Sequence, residues 1–275
     1  MRDSSSFLSL WWKAFLNKFY KEMIKLLEFK DITFKYPEDD YTMLKNLSFS
    51  VEKGEFISII GASGCGKSTI FRLINGLEKM QRGEIYINGN SIEIMKNYSA
   101  YMPQKDLLFP WRTIGENLSL PMELQKIKKS DREQSVIDIL KEVGLSDYKD
   151  KFPKDLSGGM KQRVSFARTL LTGSELLLLD EPFSALDFLT RISMQEWLLE
   201  EWKHFNKTIL FITHDVEEAI FLSKSIFIIQ DRPITHLERI EIPLEYPRSR
   251  KDLQKPEIVE LKENLISRLR QKVEL

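Results

Sequence analysis

One cysteine among 275 residues, Cys65, excludes an internal disulfide framework and suits a reducing compartment. A charge excess is missing as well: 41 Lys+Arg stand against 41 Asp+Glu, for a formal net charge of zero. The basic surplus with which nucleic-acid binders meet phosphates is therefore lacking, and no nucleic-acid partner is expected. No uncharged apolar run approaches the roughly 18 residues a helix needs to cross a bilayer. No small-residue cleavage site of the Ala-x-Ala kind follows the N-terminal segment, and no repeat of 20–50 residues is present. What remains is a composition that is 42% hydrophobic and 30% charged, which predicts one large globular domain or a domain with a subdomain.

The stretch from Phe7 to Leu26 carries Ser9, Lys13, Asn17, Lys21 and Lys25 at four-residue steps, one polar stripe on a broadly apolar helix. Three readings stand for it. Trp11, Trp12, Phe15 and Phe19 could face a lipid interface or a partner, the apolar face could pack on the domain, or the natural start could be Met23. Beyond it, strand patterns at Leu27 to Tyr36, Leu47 to Val51, Phe56 to Ile60 and Glu84 to Ile87 make the opening β-rich. A helical pattern covers Ile114 to Val143. Strands at Glu175 to Asp180, Thr208 to Thr213 and Ser225 to Gln230 then alternate with helices at Phe188 to Phe205 and Val216 to Leu222. That alternation predicts an α/β fold with a parallel sheet covered on both faces. Pro256 to Val273 reads as a closing helix.

Gly61-Ala62-Ser63-Gly64-Cys65-Gly66-Lys67-Ser68 matches G-x-x-x-x-G-K-[ST], directly after the apolar strand Phe56 to Ile60 and before a helix starting near Thr69. This is the context a phosphate-binding loop needs. Its glycines let backbone N–H groups turn inward around an anion, and the helix adds free N–H groups and a positive dipole end. Lys67 is expected on the β- and γ-phosphates and Ser68 on Mg²⁺. Leu176 to Leu179 bury a second strand that ends in Asp180 and Glu181. Ligands bind at such strand ends in open α/β sheets. Asp180 is expected to hold Mg²⁺ through water, and Glu181 to polarise the attacking water if ATP is hydrolysed.

With these residues in place, Leu156-Ser157-Gly158-Gly159-Met160-Lys161-Gln162-Arg163 resembles the LSGGQ-type signature of ATP-binding-cassette (ABC) ATPases, with Met160 where glutamine is usual. Gln104 in Tyr101-Met102-Pro103-Gln104, the loop Ser184-Ala185-Leu186-Asp187, and Thr213-His214-Asp215 fall in the family's order. The resemblance covers roughly residues 27 to 245. It implies a P-loop NTPase of ABC type: a mixed sheet core, an antiparallel β subdomain and an inserted α-helical subdomain. The implied division is an extension at 1–25, a nucleotide-binding core at 26–104 and 164–250, a helical subdomain with the signature at 105–163, and a C-terminal helix at 251–275.

The same resemblance implies ATP and Mg²⁺ as ligands. The ATP-binding set is Tyr36 stacking on adenine, the loop residues Gly61 to Ser68 with Thr69, Ser157, Gly158 and Gly159 from the opposing copy of a homodimer, and Asp187 at the seam. For Tyr36 a core strand aromatic is the alternative, with Phe34 in its place. Gln104 is implied as a ligand of Mg²⁺ or of the lytic water, and His214 as a γ-phosphate contact. Phe109 and Trp111 either receive a membrane subunit or close the helical subdomain's own core. LLFPWRTIGENL, DEPFSALDFLTRISMQEWLLEEW and THDVEEAIFLS look most like the importer ATPases for nitrate, sulfonates, taurine and thiamine precursors. The implied partners are an integral membrane permease and, indirectly, an external solute-binding protein, with this chain peripheral on the cytoplasmic face of the membrane. A soluble ABC ATPase acting on DNA or ribosomes is the alternative function. A P-loop GTPase or kinase is a further one, but Asn206-Lys207-Thr208-Ile209 lacks the guanine-reading Asp, and Ser157 to Gly159 would go unexplained.

Overall fold

The computed structural model describes residues 25–205 and 207–270. The readings of the N-terminal stretch, apart from its last two residues, and of the final residues of the closing helix lie outside this range. Two sheets organise the chain. The first is antiparallel, in the order β2 (Leu44–Glu52), β1 (Lys25–Phe34), β4 (Arg82–Ile87), β5 (Asn90–Ser91). The second runs β10 (Glu238–Glu241), β9 (Ser225–Ile229), β3 (Phe56–Gly61), β8 (Thr208–Ile212), β7 (Leu176–Asp180), β6 (Ser99–Met102). It is parallel except for the edge strand β10.

The central strands are buried on both faces, and successive residues serve different cores, as a period of two requires. Leu176, Leu178, Leu210 and Ile212 join the antiparallel sheet and α1 (Lys67–Ile74) in one cluster. Leu177, Leu179, Ile209 and Phe211 join the other cluster with the remaining helices. Those helices are α2 (Ile114–Leu124), α3 (Lys129–Glu142), α4 (Gly158–Leu170), α5 (Phe188–Phe205), α6 (Val216–Leu222) and α7 (Pro256–Arg270).

The single helical pattern expected over Ile114 to Val143 is two helices. Thr113 opens α2 with a capping box to Glu116. The helix ends where Lys126 takes φ 59°, and the Ile127 N–H turns back to the Met122 carbonyl at 3.0 Å. β1 stops at Phe34, so Tyr36 lies just past the strand. β6 and β10 extend the sheet beyond the strands anticipated from pattern. The division drawn at residue 163 falls inside α4, one continuous helix. No helix among the described residues is long and apolar enough to cross a membrane.

Candidate nucleotide site

β3 delivers the chain into the loop 61–66, and α1 carries it away. Gly64 and Gly66 take φ of 71° and 108°, conformations L side chains rarely adopt, and a Cβ on Gly66 would lie 2.8 Å from Met43 Sδ. Inside the turn Cys65 is buried with its Sγ packed toward Gly61, and burial pushes its thiol pKa up. Lys67 folds back over the loop and donates to the carbonyls of Gly61 and Ala62 at 2.9 and 3.0 Å. A cleft of about 250 Å³ opens above it. It is lined by Ser63, Gly64, Gly66, Lys67, Ser68 and Thr69 of the loop and helix start, together with Tyr36, Met43, Arg72 and Glu181. Phe34, the alternative aromatic, is buried in the core. The Tyr36 hydroxyl pairs with Thr69 Oγ1 at 3.1 Å and accepts from Arg72 at 3.4 Å.

At the end of β7, Asp180 is buried and takes a donor on each oxygen. Ser68 Oγ reaches Oδ1 at 3.3 Å, and the Tyr101 hydroxyl reaches Oδ2 at 2.9 Å. Burial raises the Asp180 pKa, and these two hydrogen bonds oppose the rise. Burial and the neighbouring Asp180 raise the Tyr101 pKa, so the phenol stays a donor. Asp180 and Ser68 are in contact, and Gln104 sits on the neighbouring Glu181, so carboxylate, hydroxyl and amide groups, types that suit a hard divalent cation, come from adjacent residues.

Glu181 follows with φ 47°, a strained position for a residue with a side chain. Its N–H is held by the Ile212 carbonyl at 2.9 Å, and its own carbonyl accepts from Ser184 Oγ at 3.0 Å. Its Oε2 accepts from Gln104 Nε2 at 3.2 Å and faces His214 Nδ1 at 3.3 Å. Gln104 also donates to Ser184 Oγ at 3.1 Å. Loops leaving β6, β7 and β8 thus meet at one carboxylate oxygen, on the edge of the cleft that holds Lys67.

The remaining predicted residues sit elsewhere. Ser157 caps α4 by accepting from the Met160 N–H at 3.4 Å. Gly159 packs so tightly that a Cβ would lie 2.6 Å from Thr190 Cγ2. Asp187 accepts from the Thr190 N–H at 3.1 Å, and hydrogen bonds from Thr190 hold its carboxyl below the usual range. Ser157, Gly158, Gly159 and Asp187 do not line the cleft. Between the two regions Asn117 pins the loop after Gln104: its Oδ1 accepts from the Phe109 N–H at 2.8 Å, and its Nδ2 donates to the Phe109 carbonyl at 3.1 Å. Trp111 remains 71% exposed, its ring 5.2 Å from that of Phe109.

Pattern reading missed Tyr101, Ser184, Arg72 and Met43. A signal existed for Tyr101: Ala100 and Met102 face one core, so the residue between them points to the other face, toward α1.

The sequence profile described as "ABC transporter" matches residues 44–184, slightly more than half of the chain. The chain belongs to the ABC transporter family. Within this family the present ABC protein is an ATP-binding, ATP-hydrolysing subunit. It is 40% identical over 236 residues to the formylaminopyrimidine import ATP-binding protein ThiZ of Halalkalibacterium halodurans, covering 86% of this chain and 92% of that one. It is 42% identical to the aliphatic sulfonates import ATP-binding protein SsuB of Bacillus cereus, over 76% of this chain and 82% of the relative. Among solved structures it is similar to the dimeric, post-hydrolysis ATP-binding cassette MJ0796 bound to ADP and Pi. The TM-score is 0.66 with 27% identity, covering 80% of this chain and all of that one.

Proposed function

We propose that this ABC subunit works as a homodimer that closes around two ATP and drives import through a separate membrane permease. The observation that carries this reading is the convergence of Gln104 and His214 on Glu181 beside the Lys67 cleft. A carboxylate so placed, with an amide and an imidazole fixing one oxygen, can accept a proton from water at the γ-phosphate. Lys67 leaves the Gly61 and Ala62 carbonyls to meet the phosphates, and Tyr36 offers its ring to adenine. The Gly64 to Thr69 backbone supplies N–H groups to the phosphate oxygens. Ser68, Gln104 and Asp180 would hold Mg²⁺, Asp180 through water; the cation when bound neutralises charge on the transferred phosphoryl group. Ser157, Gly158 and Gly159, at a helix N-terminus that does not line the cleft, close the partner copy's site, with Asp187 at the seam.

An exposed Trp111 beside Phe109, on the loop leaving Gln104, supports a docking place for the permease. Docking there sets the subunit on the cytoplasmic face of the membrane, with an external solute-binding protein on the far side of the permease. The importers for sulfonates, formylaminopyrimidine and nitrate among its relatives support a small polar cargo of the sulfonate, nitrate or thiamine-precursor class.

Glu181→Gln tests the chemistry. ATP should still bind, hydrolysis should fall by about 10²-fold or more, and an ATP-dependent dimer should accumulate on size-exclusion chromatography with light scattering. Turnover at the wild-type rate would remove Glu181 from this role. Co-purification from gently solubilised membranes tests the transport reading: a stoichiometric polytopic permease supports it, whereas ribosomes or DNA in its place would overturn it.

A further inference from the structure

Beneath the His214 loop lies a carboxylate that the proposed chemistry does not use. Glu218, in the first turn of α6, is 5% exposed. The Thr213 hydroxyl donates to its Oε2, and Gln195 Nε2 on α5 donates to its Oε1 at 2.6 Å. Gln195 is itself buried and accepts from the guanidinium of Arg250, which lies 4.1 Å over the Phe221 ring of α6. Arg191, which donates to the Leu186 carbonyl at 3.0 Å, and Asp215 are the charged groups nearby, neither of them hydrogen-bonded to the carboxylate through its side chain. Asp215 is turned away, accepting from the N–H groups of Glu217 and Glu218 at 2.9 and 3.2 Å.

Stability alone is a weak reason for a buried carboxylate, because an apolar side chain of equal volume commonly serves as well or better. The local effect is more specific. With its O–H donated in a hydrogen bond to Glu218, the Thr213 oxygen accepts from the Asp215 N–H at 3.0 Å. The backbone is thereby tied on both sides of His214. That histidine has a side chain 59% exposed, too open for packing to fix its place.

We propose that Glu218 is the positioning residue for His214: acting through Thr213, it locks residues 213–215 so that the imidazole stays against Glu181. Gln195 and Arg250 in turn hold Glu218. This rests on the ATPase reading of Glu181 and His214, since Glu218 touches neither.

The test uses the full chain and four variants: Glu218→Gln, Thr213→Val, His214→Ala, and Glu218→Gln combined with His214→Ala. Glu218→Gln and Thr213→Val should each lower kcat about tenfold, with KM for ATP changed less than about twofold and the thermal midpoint within a few degrees. In the His214→Ala background the Glu218→Gln loss should shrink below about twofold, the non-additivity of residues acting as a unit. An unchanged kcat, or the same tenfold loss without His214, overturns the proposal. Histidine-labelled NMR gives a second reading free of turnover. The His214 imidazole signals, assigned among the three histidines by their loss in His214→Ala, should shift in Glu218→Gln and Thr213→Val, and signals that stay in place overturn the proposal. A wild-type chain without ATPase activity would instead sink the proposed function, leaving the NMR comparison to decide the role of Glu218.

Discussion

Asp180 shows how much of the site depends on single atoms. Ser68 occupies one carboxylate oxygen and Tyr101 the other, so the water of a cation bound as proposed would displace only the 3.3 Å contact at Oδ1 while the 2.9 Å phenol bond keeps the carboxylate oriented. Groups that orient a ligating carboxylate are worth one to two orders of magnitude in metal affinity. Tyr101→Phe removes the hydroxyl and keeps the ring that meets Phe71 edge-on. It should raise the Mg²⁺ concentration needed for half-maximal ATP binding about tenfold, followed with a fluorescent nucleotide, while metal-free nucleotide binding stays unchanged. The core residues of this site were legible because phosphate chemistry dictates both residue type and spacing: Lys67, Ser68, Asp180 and Glu181 stand where the motif and the strand end require. Tyr101 was not, because nothing in a four-residue strand says which neighbour its hydroxyl will find.

Between elements, contact geometry rather than motif decides. α4 approaches α5 so closely at Gly159 that an added Cβ must push Thr190 aside. Gly159→Ala should cost about 1–3 kcal/mol of stability, read as a lower urea midpoint. Adding Thr190→Ser removes the obstructing methyl while keeping the hydroxyl that bonds Asp187, and most of the loss should return.

At the sheet edge, Glu55 is buried beside Arg239 of β10, which donates to its Oε2 at 3.3 Å, while Lys224 reaches its Oε1 at 3.5 Å. Burial raises its pKa, but the hydrogen bonds from Arg239 and the Glu52 N–H, with the two cations, outweigh that, and the net shift is downward. A carboxylate lowered on folding contributes stability above its unfolded value, about 4.3, and loses it as pH falls through the folded value. Wild type and Glu55→Gln should therefore differ in urea midpoint at pH 7, with the difference shrinking only as pH falls below the unfolded value, about 4.3, and through the lower folded one.

β10 itself escaped pattern reading because Glu-Arg-Ile-Glu on an edge strand buries no continuous face. The break after Leu124 escaped because Lys126, not glycine, takes the left-handed turn. Long apolar strands and strongly periodic helices were plain; short edge pieces and interruptions paid for by tertiary contacts were not.

For the molecule as a whole, the arrangement of the two helix ends proposed to meet phosphate decides whether one chain can work alone. Lys67 faces the cleft, whereas Ser157 caps α4 outside it. If a complete site takes Lys67 from one copy and Ser157 from the other, two differently damaged chains should rescue each other. Lys67→Ala and Ser157→Arg should each be inactive as homodimers. In a mixed dimer, one site receives both lesions and the other receives an intact loop and an intact signature. With random assortment half of the dimers are mixed and half of their sites are whole, so an equal mixture should recover roughly a quarter of wild-type ATPase activity if the sites fire independently. Activity should depend on the product of the two chain concentrations at low protein and saturate as dimers fill. A mixture as inactive as its parents, under conditions where mass spectrometry shows mixed dimers, would place Ser157 outside the partner's site.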